Sequence, residues 1–158
     1  MAYSPTMLAN NILMRSFSER RYISPMKLQK ILYFTAAQYA KRTGSQLLAE
    51  RFQTWAYGPV AYSAYDEFRP FAKKGIRRFA RDAAGNALVV DEDADADLRD
   101  CLDEVWEATK RRSAIDLSEL THAEGSAWYK AYQDDRDVLD PDEVTADRTY
   151  LTDLGLTC

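Results

Sequence analysis

The N-terminal part of the chain carries two apolar stripes with the spacing of α-helices. Each stripe follows a Ser-Pro pair, Ser4-Pro5 or Ser24-Pro25, in which the serine can cap a helix and the proline suits its first turn. The first stripe predicts a helix that runs to about Ser18. The second predicts a helix that ends at Gly44, where a left-handed residue would stop it. This second stripe consists of Leu28, Ile31, Leu32, Ala36 and Tyr39.

The stretch FQTWAYGPVAYSAYDEF, residues 52–68, breaks this pattern. Its aromatic, β-tolerant start predicts a strand from Phe52 to Ala56, and Gly58-Pro59 predicts the turn that follows. Pro59 also suits the first position of a third helix, which we expect to run to Phe68. A second strand is expected over Ala87 to Val90 and would pair with the first.

The second half of the chain predicts further helices. Acidic residues open the segment DEDADADLRDCLDEVWEATKRR and basic residues close it, which matches the helix dipole and predicts a long fourth helix. Its buried stripe would consist of Leu98, Cys101, Leu102, Val105 and Thr109. Ser113 with Asp116 resembles a capping box, and another short helix is expected within THAEGSAWYKAY. Asp140-Pro141 should break the chain before a last helix from Asp147 to Leu154.

These elements predict a mainly α fold with a small β element (α+β). We expect a compact, single-domain helical bundle over residues 1–158, with a short two- or three-stranded sheet. The composition, 46% apolar and 29% charged, is typical of a soluble globular protein. The chain has no run of the ~20 apolar residues that a membrane span needs, and its start lacks the pattern of a signal peptide. We therefore expect a cytoplasmic protein without membrane contact.

Charge excludes some classes of function. A net charge of -4 argues against a protein that coats nucleic acid, although the basic stretch Lys73 to Arg81 leaves a DNA-binding regulator as an alternative. The acidic segment Asp91 to Asp97 lacks the Gly and Glu of a calcium loop and favours a solvated helix start. Cys101 and Cys158 lie on separate elements, which favours neither a zinc site nor a disulfide. We expect no metal and no cofactor.

The single histidine is a candidate for chemistry. His122 is the single histidine, and we expect it to be structural, beside Trp128, rather than catalytic. We predict no catalytic residue and no enzymatic activity, and an enzyme with His122 as general base is the alternative.

The aromatic stretch divides by position into a core part and a surface part. The rings of Phe52, Trp55 and Phe68 are expected in the core, because rings of this size bury a large area. Tyr57 and Tyr62 flank the expected turn, and tyrosines on a rigid turn are typical of protein interfaces.

Three segments resemble the signature blocks of a known family. MKLQKILYF (26–34), FQTWAYGPVAYSAYDEF (52–68) and LSELTHAEGSAW (117–128) are similar, in order and spacing, to those of the Panacea or SocA-like antitoxin domain, which includes GepA-type phage proteins. The third block departs from the family pattern LTH-x-x-x-W, because five residues separate His122 from Trp128. The resemblance implies a mainly helical domain with a small β element.

The resemblance also implies a function. It implies an antitoxin that binds its cognate toxin protein directly. Members of the SocA type hand the toxin to the ClpXP protease, so sequestration and delivery to ClpXP are both open. The family motifs, together with the aromatic turn, predict a partner-binding surface. Its expected residues are Lys27, Lys30, Tyr57, Gly58, Pro59, Tyr62 and His122.

Overall fold

The computed structural model describes residues 2–157 and shows a mainly helical α+β fold with a small antiparallel sheet. The helices are α1 (Pro5–Ser18), α2 (Pro25–Thr43), α3 (Tyr62–Phe68), α4 (Ala96–Thr109), α5 (Ala114–Thr121), α6 (Ala127–Gln133), α7 (Pro141–Ala146) and α8 (Leu151–Leu154). The strands are β1 (Gln53–Trp55) and β2 (Gly58–Val60), and a short 3-10 helix (Arg69–Phe71) follows α3. The predicted fold class is confirmed, whereas the assignment of the whole chain to one domain stays a prediction.

Helix α2 lies at the centre of the fold. Fourteen of its 19 residues are buried, and it contacts α1, α3, α4, α5, α7 and β2. Its ends are those that the sequence predicts: the Ser24 side chain accepts a hydrogen bond from the Lys27 N–H, and Gly44 is left-handed with a φ of 75°. Despite this length, neither α2 nor another helix within residues 2–157 is long and apolar enough to cross a membrane.

Polar side chains of α2 connect it to the elements around it. The Gln29 side-chain amide accepts a hydrogen bond from the N–H of Ala61 at 2.8 Å and donates one to the carbonyl of the same residue at 3.1 Å. The Tyr33 hydroxyl donates to the buried carboxylate of Asp147. The Gln38 amide accepts a hydrogen bond from the hydroxyl of Tyr150, the residue that caps α8. Because buried polar groups need partners, each of these bonds fixes one peripheral segment against the central helix.

Two asparagines of α1 hold the long segment between α3 and α4 in the same way. The Asn10 amide accepts from the N–H of Ala80 at 2.7 Å and donates to its carbonyl at 3.0 Å. The Asn11 amide bonds to the N–H and carbonyl of Val90 at 2.8 and 2.9 Å. The expected strand over Ala87 to Val90 is therefore wrong. Side-chain amides satisfy backbone groups that a neighbouring strand would otherwise have paired.

The hairpin differs from the expected strand, turn and helix. The first predicted strand is confirmed, but it pairs with β2 in a register that places Trp55 opposite Gly58. The turn is therefore Ala56-Tyr57, not Gly58-Pro59, and α3 begins at Tyr62. Pro59 is compatible with a strand here because a two-stranded sheet consists only of edges.

The fourth helix matches its prediction and is capped by the Asp95 side chain, which accepts from the N–H of Leu98. The whole expected stripe is buried: Leu98, Cys101, Leu102, Val105 and Thr109. Cys101 is a free thiol, and burial raises its pKa to about 12. Cys158 lies outside the described residues.

The C-terminal region contains one helix more than expected. Pro141 does not only break the chain, because it begins α7, which Asp140 caps. The expected helix from Asp147 is wrong in its first half, since α8 begins only at Leu151. Asp147 is instead buried as an acceptor for Tyr33, Thr149 and the start of α6.

We predict that Asn10→Ala lowers the free energy of unfolding by about 1–3 kcal/mol, because it leaves the buried N–H and carbonyl of Ala80 without a partner. Urea unfolding followed by circular dichroism measures the loss. The matched control is Asn86→Ala at an exposed position, which should change stability by no more than about 0.5 kcal/mol. Equal effects of the two substitutions would contradict a structural role for this amide.

Candidate partner-binding site

The three segments that carry the family resemblance meet at Gly58. A Cβ atom at this position would lie 2.8 Å from the Lys30 Nζ of α2 and 2.6 Å from the Thr121 Oγ1 of α5. The φ of Gly58 is 119°, a conformation that other residues rarely adopt. Close approach and backbone conformation therefore both require glycine where the hairpin passes between α2 and α5.

The hairpin turn is held through its backbone carbonyls. The Trp128 Nε1 donates to the carbonyl of Trp55 at 2.7 Å, and the Ser118 hydroxyl donates to that of Tyr57. His122 forms a hydrogen bond with the backbone of Ala56. The last residue of β1 and both residues of the turn thus bond to side chains of α5, its C-cap and α6. These bonds fix the backbone and leave the turn side chains free.

Two adjoining clefts flank this turn. The inner cleft has a volume of about 430 Å³, and the outer cleft has a volume of about 600 Å³. The inner cleft is lined mainly by Met26, Lys30, Trp55, Tyr57, Val60 and Tyr65. The outer cleft is lined mainly by Ser24, Tyr57, Ile115, Ser118, Glu119 and His122. Because Met26 and Tyr57 line both, the clefts form one continuous concave surface with the Tyr57 ring between them.

Aromatic rings form the rim of this surface. Tyr57 is 67% exposed and Tyr62 is 43% exposed, as the sequence predicts. The expectation that Trp55 belongs to the core is wrong: its ring is only partly buried and packs edge-on against Tyr65 at 4.6 Å. The reason is that Trp55 lines the inner cleft, so its ring is not covered on that side. Phe52 is buried, as expected.

The two lysines of α2 do not form an exposed polar face. Lys30 is only 1% exposed, so the expectation that it lies on the surface is wrong. The cause is that α2 is buried on all sides, including the side that carries Lys30. Lys27 is partly buried, and its Nζ donates to the carbonyl of Lys110 at the end of α4 at 2.8 Å. Burial, with a smaller contribution from Arg21, lowers the pKa of Lys27.

Lys30 is a buried lysine whose ammonium group makes no hydrogen bond or ion pair among residues 2–157. Burial lowers the pKa of Lys30 to about 7, because the charged form loses its hydration. The side chain lines the inner cleft, so its charge is directed at this space.

His122 lies beside Trp128, as predicted. The two ring centroids are 4.1 Å apart, and Trp128 in turn stacks on Tyr132 at 4.7 Å. The His122 Nε2 is buried and has no hydrogen-bond partner among the described residues. Burial, together with the positive charge of Lys30, lowers the pKa of His122, so the ring is neutral at pH 7.

The basic stretch of residues 73–81 does not form a row of free cations. The Arg77 guanidinium lies over the Tyr22 ring, 4.0 Å from its centroid. Arg78 forms an ion pair with Glu67 at 2.8 Å. The Arg81 guanidinium donates to the carbonyl of Gly85 at 2.9 Å. Three of the five basic side chains are thus occupied by their own neighbours, and the arrangement does not favour phosphate contacts.

The acidic segment of residues 91–97 also has local partners. Glu92 pairs with Arg15 at 2.7 Å, and Asp95 accepts from the hydroxyl of Tyr3 at 2.7 Å. Within residues 2–157, no group of three or more His, Cys, Asp or Glu side chains could hold a metal ion. These carboxylates therefore stabilise the packing of α1 and α4.

A family model described as "Antitoxin SocA-like, Panacea domain" matches residues 28–129. The match covers more than half of the chain, which therefore belongs to the SocA-like antitoxin family with a Panacea domain. The chain is similar to Antitoxin SocA of Caulobacter vibrioides (strain NA1000 / CB15N), with 30% identity over 124 residues. The alignment covers 77% of this chain and 66% of that relative, slightly less than two thirds of its length. No solved structure gives a significant match.

The sequence pattern did not reveal several residues of this surface. Ser118, Ile115 and Tyr65 are among them, and only for Ser118 does its position relative to a motif residue provide a signal. Ser118 lies four residues before His122 and therefore on the same face of α5. The general signal is helical spacing around a motif residue.

We predict that Lys30 makes the free energy of unfolding depend on pH between about 7 and 10.5. The lower limit is the pKa of Lys30 in the folded chain, and the upper limit is the ordinary pKa of a lysine. In this window the unfolded chain binds the proton and the folded chain does not. Stability therefore rises with pH, by up to about 1.4 kcal/mol per pH unit. Urea unfolding at several pH values should show a steeper rise for the native chain than for Lys30→Met. The exposed control Lys74→Met should keep the native slope, and an unchanged slope in Lys30→Met would refute the assignment.

Proposed function

We propose that this protein is an antitoxin that neutralises a toxin by binding it directly, through the concave surface around the hairpin. The proposal places this activity in the cytoplasm and assigns the protein no enzymatic role. Membership of an antitoxin family supports the general role, and the name of the Caulobacter relative, Antitoxin SocA, agrees with it. The details of binding rest on the geometry of the turn.

The observation that carries the proposal is the exposed ring of Tyr57 on a backbone whose carbonyls at Trp55 and Tyr57 are held by hydrogen bonds. An aromatic side chain on a rigid backbone offers a large contact area at little cost in conformational entropy. Ile115, which also lines the outer cleft, is 67% exposed as well, so the surface has a second exposed apolar side chain. An exposed apolar surface of this kind is typical of a protein-binding site.

The other residues expected at the interface have different roles in this proposal. Gly58 and Pro59 are buried and set the path of the hairpin. His122 supports the turn and lines the outer cleft. Lys27 holds the end of α4. Contact with the toxin is thus assigned to Tyr57, to Tyr62 and to the walls of the two clefts.

We expect Tyr57→Ala and Tyr62→Ala to weaken toxin binding, Tyr57→Ala by about 30-fold or more because it removes a central anchor. The toxin is the product of the neighbouring reading frame, provided that it arrests growth when expressed alone. Isothermal titration calorimetry measures the affinity, and co-expression measures the rescue of growth. The control Leu88→Ala removes an exposed apolar side chain that lines neither cleft and should bind normally. Normal binding by folded Tyr57→Ala would exclude this surface.

We further propose that the protein delivers the toxin to the ClpXP protease, as the SocA-type resemblance implies. An adaptor must contact cargo and protease together, so the toxin should be degraded only when both antitoxin and ClpXP are present. Purified components and a time course of toxin degradation test this. A toxin lifetime that the antitoxin prolongs in the presence of ClpXP and ATP would indicate sequestration instead.

A further inference from the structure

The Lys30 ammonium group makes no hydrogen bond or ion pair within the described fold. Buried lysines are rare and are normally paired, because an isolated charge loses its hydration without compensation. The other polar side chains of α2 described above each hold a peripheral segment, whereas Lys30 holds none within residues 2–157. Apolar residues of the same length would fill the space without this cost, so the position calls for an explanation outside the fold.

The surroundings of Lys30 define the charge of the inner cleft. Its lining contains a second cation, Arg69 at the rim, and two tyrosines, Tyr57 and Tyr65. Among the described residues, no carboxylate lines this cleft. The nearest acidic wall belongs to the outer cleft, where Glu119 lies beside His122. The inner cleft is therefore an apolar, aromatic pocket with a positive base and no internal counter-charge.

We infer that the inner cleft binds a carboxylate side chain, aspartate or glutamate, that the partner protein presents between apolar residues. This inference rests on the proposed function and names the chemistry that the toxin would offer. The carboxylate would pair with the Lys30 ammonium, and the flanking apolar side chains would pack on Trp55 and Tyr57. Charge complementarity selects an anionic occupant, and the aromatic walls select an apolar context for it.

The size and composition of the site favour a carboxylate over a phosphate. Phosphate sites in proteins use several donors, often backbone N–H groups at a helix start or a guanidinium fork. Here one ammonium group forms the base, and Arg69 at the rim is paired with Asp66 at 3.5 Å. A single buried ammonium group matches a single carboxylate, and their attraction is stronger next to apolar and aromatic side chains than in water.

The first test separates binding from folding. Lys30→Met keeps the length of the side chain and removes the charge, so we expect a chain at least as stable as the native one. We also expect its affinity for the toxin to fall by about 30-fold or more, because a buried charge pair is lost. The matched control Lys74→Met, exposed and outside both clefts, should bind normally. A residue that only supported the fold would not lower affinity while stability is retained.

The second test identifies the partner group. Each surface aspartate and glutamate of the toxin is replaced by its amide, and each variant is measured against native antitoxin and Lys30→Met. One carboxylate should show strong coupling, with an effect that is large against the native chain and nearly absent against Lys30→Met. If the native chain binds the toxin but Lys30→Met binds equally well, the inference is overturned and the proposed function stands.

A third test does not need the toxin. The 13Cε chemical shift of Lys30 is titrated with pH in the presence of N-acetyl-glutamate-methylamide or the matching glutamine derivative. The groups facing the cleft from other elements are Tyr57, Tyr65 and Arg69, with Lys73, Glu119 and His122 in the adjoining outer cleft. Glutamate should shift the Lys30 titration to higher pH and glutamine should not, because only the carboxylate favours the charged amine. Equal titrations overturn the inference, whatever the outcome of the toxin experiments.

Discussion

The burial of α2 on all sides is the constraint on which the rest of the structure depends. A helix in this position cannot leave its polar side chains in water, so each must find a partner inside the protein. Gln29 and Tyr33 meet the requirement by binding the segment after β2 and the C-terminal region. The same bonds that satisfy the helix therefore determine where the peripheral elements lie. Lys30 differs from Gln29 and Tyr33 because it has no such partner among the described residues, and it lines the inner cleft.

The candidate site follows from the same arrangement. The three sequence blocks of the family are far apart in the chain, yet they contribute α2, the hairpin and the α5–α6 region, which meet at Gly58. Glycine permits this close contact, and hydrogen bonds to the turn then fix the hairpin. In the proposed function, a fixed turn with an exposed aromatic ring would bind its partner with little loss of conformational entropy. The motif residues thus act mainly as the frame of the surface, and Tyr57 and the cleft walls are the parts available for contact.

The sequence predicted the helices well, because capping residues and apolar stripes are local signals. Ser24 and Gly44 set the ends of α2 as expected, and the α4 stripe is buried throughout. Non-local pairing was not predictable in the same way. The segment ending at Val90 has the composition of a strand, but its partner is the side chain of Asn11. The prediction that Lys30 is exposed was wrong for a similar reason. A charged side chain predicts a surface position, and only the packing of several elements around α2 places this lysine inside.

The mode of attachment of the turn has a consequence for the evolution of specificity. The fold uses Ala56 and Tyr57 through their main chain, so the identity of these two side chains is only weakly coupled to folding. Natural variation at such positions could alter which protein is recognised while the scaffold persists. Adaptation to a new target would then require few substitutions, and lineages could diversify their pairings on a common architecture.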